Sequence, residues 1–388
     1  MKIPTAWLQL KYEKLRLLIA IGGICFAVVL IFMQLGLQAA LFDSAIALHS
    51  KLKGDIFLIS PRSTALIAME SFSERRLYQA LAFNEVEYAA PVYLGFAQWK
   101  NPQTKNYWRN IYVIGFDISY QVFDIEGVQQ NINKLKIPDV LLFDEASRPE
   151  FGTITSEFKQ KGIITTELGD RGPGNRKVSV MGLFKLGTSF GVDGNLITSD
   201  LNFLRIFSQR PKGYINLGVI KLKPGYDLEQ TLWKMKKFYP YDVKVVSKEE
   251  FINSEKKYWN SSTPIGFIFT LGVILGLIVG IIIVYQILYA NVSEHLAEYA
   301  TLKAIGYKHN YLLFVVFQQS LILAILGYIP GFIVTVYMYD VAKKATLLPI
   351  GMELIRALFV MILTLSMCFI SGAIAVKKLK EADPADIF

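Results

Sequence analysis

The sequence predicts a polytopic membrane protein: four transmembrane α-helices, one near the N-terminus and three near the C-terminus, with a large α/β domain between the first and second. Three observations predict it. Of 388 residues, 53% are hydrophobic and only 19% are charged, against roughly 25% charged in an average soluble protein. The apolar residues gather in four runs without a charged side chain, at residues 17–42, 258–293, 310–339 and 357–376. Between the first two runs, strand-type and helix-type segments alternate. Each run is long enough to cross a hydrocarbon core of roughly 30 Å as a helix. This composition excludes a disordered chain, a collagen-like chain and an ordinary cytosolic enzyme.

Residues 1–16 form a basic segment, with Lys2, Lys11, Lys14 and Arg16. The run that follows resembles a signal peptide, and Ala45-Ile46-Ala47 has a small-x-small cleavage pattern. Its apolar part is far longer than a signal peptide's roughly 7–15 residues, so it reads as an uncleaved anchor, span 1, over 17–41. Lys377, Lys378 and Lys380 follow the last span. Positive charge at both chain ends places both termini in the cytoplasm, which suits an even number of spans. Residues 42–258 then form the outer, extracytoplasmic domain. Spans 2, 3 and 4 occupy 264–290, 311–339 and 354–376. They are joined by a cytoplasmic segment at 291–310 and a short outer loop at 340–353, and a cytoplasmic tail covers 377–388. The formal charge of +9 is spread out, +5 over residues 43–258 and +4 over the rest. No basic patch or RNA-binding motif marks a nucleic-acid site. Both cysteines, Cys25 and Cys368, fall inside spans.

The outer domain reads as mixed α/β. Strand composition marks residues 55–60, 86–99, 108–116, 140–143, 177–186, 214–222 and 243–246, and a helix is expected over 72–82. Residues 227–238 have the spacing of an amphipathic helix. Ser247-Lys248-Glu249-Glu250 is a capping box opening another helix, which runs toward span 2.

The chain shows no catalytic constellation. There is no P-loop, no H-E-x-x-H and no G-x-S-x-G. Gly169-Asp170-Arg171-Gly172-Pro173-Gly174 lacks the strand-to-helix setting of a phosphate loop and reads as a loop. Of the three histidines, His49 falls outside the cytoplasm while His295 and His309 fall inside, so they share no metal. The spans hold no central carboxylate of the kind ion-coupled transport uses. Arg356 snorkels at the outer end of span 4. The chain is therefore read as holding no catalytic site, cofactor or metal.

Two features of the membrane region are informative. Gly272, Gly276 and Gly280 lie on one face of span 2, where backbones can approach closely, as packing within the chain or as a homodimer seam. Gly327 and Gly331, flanking Pro330, read as a kink or a packing notch in span 3. The segment 291–310 reads as a short amphipathic helix stopped at Gly306. It could lie on the membrane face or fit a groove on a partner.

Glu298-Tyr299-Ala300-Thr301-Leu302-Lys303-Ala304-Ile305-Gly306-Tyr307 resembles the cytoplasmic segment of FtsX/MacB-type ABC permeases. The order of one span, a large outer domain and three spans is also that superfamily's. Val113-Ile114-Gly115-Phe116-Asp117 and Tyr120-Gln121-Val122-Phe123 resemble part of its periplasmic domain. Asp383-Pro384-Ala385-Asp386-Ile387-Phe388 resembles the ending of the DevC-like permeases of DevBCA exporters. The resemblance implies an FtsX-like 1+3 arrangement with a MacB-like periplasmic domain, working in the inner membrane as a homodimer. It also implies a separate DevA-like ATPase that binds ATP and Mg, a DevB-like membrane-fusion adaptor and a TolC-like outer-membrane channel. Glu298, Leu302, Lys303, Ala304, Ile305 and Gly306 would contact the ATPase. The cargo would be lipid-like or amphipathic. Two points depart from the pattern: MacB carries its ATPase on the same chain, and His295 stands where the superfamily often has Arg or Lys ahead of the Glu. The same architecture also serves LolC/LolE-like lipoprotein release and FtsX-like control of cell-wall hydrolases.

Overall fold

A computed structural model describes residues 5–12, 14–170, 176–295 and 309–381. Helices α1 (Thr5–Tyr12) and α2 (Lys14–Ala45) open the chain. Strands β1 (Ile56–Ile59), β2 (Phe72–Ser73), β3 (Val86–Lys100), β4 (Trp108–Phe116), β5 (Val140–Asp144), β6 (Ile164–Gly169), β7 (Arg176–Phe184), β8 (Asn195–Ser199), β9 (Tyr214–Ile215), β10 (Leu217–Leu222) and β11 (Lys244–Ser247) follow. Between them run helices α3 (Ala47–Lys51), α4 (Glu74–Gln79), α5 (Val128–Asn131), α6 (Ile154–Lys161), α7 (Asp200–Ile206), α8 (Leu228–Phe238) and α9 (Lys248–Lys257). Three long helices close the chain: α10 (Pro264–Glu294), α11 (His309–Thr346) and α12 (Leu354–Glu381). The chain divides into two compact units. One holds residues 1–40, 264–346 and 350–388, and the other holds 41–263 and 347–349.

The first unit is helical because apolar runs in lipid must satisfy every backbone group internally. Four of its helices are long and apolar enough to cross a membrane: Lys14–Ala45, Pro264–Glu294, Phe314–Thr346 and Leu354–Lys377. They lie at the expected places but run longer. The third continues to Thr346, past the expected 339, because the polar turn at its end stays helical with Lys344 paired to Asp340 at 2.6 Å. Ile24, Ala27, Val28 and Ile31 of α2 are fully buried. Gly327 and Gly331 of α11 face Ile24 and Val28, and the helix runs unbroken through Pro330, so the notch packs α11 on α2. Arg356 donates to the Gly351 carbonyl at 2.6 Å, beside Glu353.

The second unit is built on a nine-stranded sheet in the order β11-β1-β10-β3-β4-β8-β5-β7-β6. The fifteen-residue strand β3 pairs with β10 through its first half and with β4 through its second. Its far end also meets β6, at Gln98 and Trp99, so the strands from β3 to β6 close into a ring. β4–β8 and β5–β7 are parallel, and the other pairings of this sheet are antiparallel. Two apolar clusters pack on its opposite faces, one around Trp99, Phe143 and Phe203 and the other around Phe57, Phe116 and Phe123. The Trp99 indole donates to the Phe151 carbonyl at 3.0 Å, which satisfies its only polar atom inside the core.

Two expected elements are divided. The helix over 72–82 is strand β2, helix α4 and a 3-10 turn over Ala80–Ala82. The strand over 214–222 breaks at Asn216, whose side chain leaves the ladder to accept from the Leu94 amide at 2.8 Å and donate to the Met69 carbonyl at 3.0 Å. Strands β6 and β8 and helices α6 and α7 were not expected from sequence. The capping box at Ser247 is formed: Ser247 Oγ accepts from the Glu250 amide at 3.1 Å, and the Glu250 carboxylate accepts from the Ser247 amide at 3.0 Å.

Candidate functional site

Glu298, Leu302, Lys303, Ala304, Ile305 and Gly306, the expected ATPase contact, lie outside the described residues. The structure does show the mounting on either side of them. Helix α10 ends at Glu294 and α11 is helical from His309. The Arg16 guanidinium donates to both oxygens of Glu294, tying the start of α2 to the end of α10. Such a half-exposed pair adds little stability on its own, but its two-pronged geometry fixes orientation. Gln319 of α11 donates to Gln9 of α1 at 2.9 Å.

The three glycines of span 2 share one face, and that face meets residues of the same chain. The Gln34 side chain lies against Gly272. A Cβ on Gly276 would stand 2.9 Å from Ile31, and one on Gly280 would stand 3.0 Å from the Ala27 Cβ and would collide with Met367. Ala27, Ile31 and Gln34 recur at helical spacing on α2, so the ladder is a groove that receives α2.

In the outer domain, helix α9 turns one face toward the segment just after α2. The residues on it are Lys248, Phe251, Glu255 and, in the π-helical turn Tyr258–Ser262 that follows, Trp259. Lys248 Nζ donates to the carbonyls of Ser50 at 3.0 Å and Leu52 at 2.7 Å, at the end of α3. The Phe251 ring lies 4.2 Å from the His49 ring. The buried Glu255 carboxylate accepts from the Leu66 amide at 2.8 Å and the Trp259 indole at 2.9 Å. It also stands 3.7 Å from His49 Nε2.

Both ring nitrogens of His49 are buried without a hydrogen-bond partner. Burial pushes the imidazole down to about 3, with the Ala45 carbonyl opposing. Burial pushes the Glu255 carboxyl up to about 7, with the Trp259 and Leu66 donors opposing. Sequence reading missed this cluster. Its signal was a carboxylate on the apolar stripe Phe251, Glu255 and Trp259, where a charge needs a partner.

An open groove of about 680 Å³ lies nearby, lined by Lys53, Lys221 and Lys248 against Asp55, Glu87 and Asp124. Its charges balance and its walls are polar, which does not suit a lipid tail. Among the described residues no group of three or more His, Cys, Asp or Glu side chains comes together to hold a metal ion.

These features define a multi-pass membrane protein with a 1+3 arrangement of spans around a large α/β domain. Its C-terminal membrane region is similar to one known family: the family described as FtsX-like permease C-terminal matches residues 269–384. No curated protein matches the chain. Among solved structures, the periplasmic region of MacB from Actinobacillus actinomycetemcomitans is similar over 51% of this chain and 91% of its own, at 10% identity and a TM-score of 0.33. The extracellular domain of the noncanonic ABC-type transporter YknZ from Gram-positive bacteria is similar over 50% of this chain and 100% of its own, at 12% identity and a TM-score of 0.35.

Proposed function

We propose that this chain is the permease subunit of a tripartite, DevC-like ABC exporter. Hydrolysis of ATP on a separate ATPase subunit moves the segment 291–310, and the spans carry that motion to the outer domain. The outer domain, working with an adaptor and an outer-membrane channel, drives a lipid-like or amphipathic cargo outward. Two copies pair with two ATPase subunits in the inner membrane, with termini cytoplasmic and the outer domain periplasmic.

The observation that carries this reading is the FtsX-like match over residues 269–384, which takes in the whole of the segment 291–310 and most of the helices on both sides. The sequence adds support. It has no P-loop to hold a nucleotide, and no carboxylate inside the apolar runs that would carry a coupling ion. The charge-balanced polar groove also favours force transmission over passage of cargo through this domain. Ala304→Glu tests the ATPase contact, because it places a bulky charge within the segment expected to make it. The variant is expected to lose both co-purification with the partner ATPase and stimulation of ATP hydrolysis. Retention of both would refute the contact.

A further inference from the structure

We propose that His49 and Glu255 form a charge-compensated clamp that locks the segment leaving the first span to the segment entering the second, with nearly the same strength across mildly acidic to neutral pH. Its use, holding the two chain segments that connect to the membrane helices together so that they move as a pair, rests on the function proposed above. The clamp itself does not.

Placement makes the first argument. His49 lies four residues beyond Ala45, where α2 ends, and Trp259 lies five residues before Pro264, where α10 begins. These segments are some two hundred residues apart in sequence, yet one face of α9 joins them. Lys248 caps the last carbonyls of α3, Phe251 covers the His49 ring, and Glu255 reaches His49, the Leu66 amide and the Trp259 indole. Trp259 is held in turn against Phe190 at 5.7 Å between ring centres. A substituent on Gly191 would come within 3.0 Å of Ile67, so the loops around the indole are also tightly packed.

Charge makes the second argument. Facing Glu255 are His49 from α3 and the Tyr112 phenol from β4. Tyr112 donates to the Leu66 carbonyl at 2.7 Å, and burial keeps it protonated. Lys248, the cation on the same face of α9, is occupied by carbonyls at the other end. A lone charge in such a site is expensive. Below about pH 7 the closed clamp therefore keeps the proton on Glu255 and His49 is neutral. When it opens in mild acid, Glu255 ionises and His49 protonates, so the total number of bound protons hardly changes.

The two contributions have opposite signs. The raised carboxyl alone gives a clamp that is strongest below 4.5 and weakens as pH rises to about 7. The depressed imidazole alone gives one that is strongest above 6.5 and weakens as pH falls toward about 3. Where the windows overlap, the slopes cancel.

Hydrogen exchange of the full-length protein in lipid nanodiscs tests this, following the amides around residues 46–53 and 255–263 from pH 5 to pH 8 after correction for intrinsic exchange. The wild-type opening constant is expected to stay within about threefold. Glu255→Gln should open more readily in acid, by about thirtyfold at pH 5 relative to pH 8. His49→Gln should open more readily in base, by about seventyfold at pH 8 relative to pH 5. The double variant should again be nearly flat. Flat profiles in the single variants, or slopes of the same sign, overturn the proposal. If one single variant does not fold, the sign of the other's slope decides. No ATPase enters this experiment, so its failure is separable from failure of the exporter reading.

Discussion

The glycine ladder of span 2 gives a prediction that can be worked through from the coordinates. Gly276 is buried, and a Cβ there would stand 2.9 Å from Ile31, a fully buried residue of α2 with no room to withdraw. Gly276→Leu adds four carbon atoms at that contact. Either the two helices separate, or Ile31 and Leu30 are forced from their rotamers. Overpacking of this kind costs typically about 1–3 kcal/mol, and a helix contact without slack places this site near 3 kcal/mol. Steric trapping in bicelles should report the loss of stability directly. A cross-link provides the second readout: with Cys25 and Cys368 replaced, Ala27→Cys combined with Gly280→Cys should oxidise within one chain and migrate as a monomer. If Gly276→Leu is as stable as wild type and Gly280→Cys alone yields covalent dimers, the ladder is an intermolecular seam and the reasoning fails.

Two further outcomes concern the outer domain. The fully buried Asp144 carboxylate accepts from the amides of Ala146, Leu186 and Gly187 and from the Asn195 side chain, at 2.9 to 3.1 Å. Asp144→Ala would leave these donors unpaired and should cost about 3 kcal/mol, seen as earlier loss of tryptophan fluorescence on heating; an unchanged midpoint would remove the hub from the account. Ser247→Ala deletes half of the capping box at the start of α9 and should cost about 1 kcal/mol. It should show as faster exchange of the Glu250 amide, whereas unchanged exchange would mean the cap contributes nothing.

How far the fold was legible depended on whether a segment's stability comes from its own pattern. The four spans were legible because an uncharged run in lipid has no alternative to helix. Their ends were less so, since residues such as Asp340 and Lys344 continue a helix without an apolar signal. Strand β8 escaped notice because Asn195, Thr198 and Ser199 look like loop residues. Two of them are satisfied only by the tertiary structure, Asn195 donating to Asp144 and Thr198 to the Val140 carbonyl at 2.7 Å, while Ser199 caps α7. The return of β6 to β3 is a long-range pairing that no local pattern encodes. The clamp was half visible. The stripe Lys248, Phe251, Glu255 and Trp259 can be read from spacing alone, but His49, the partner that makes Glu255 tolerable there, lies on a segment that only folding brings near.

The central claim is that this chain works by transmitting the ATPase cycle of a separate subunit. Affinity purification of the full-length protein in mild detergent, with its partners identified and counted, tests that most directly. The account predicts an ABC ATPase recovered in equal amount, with a membrane-fusion adaptor beside it. Recovery of the intact protein without any ATPase would contradict it.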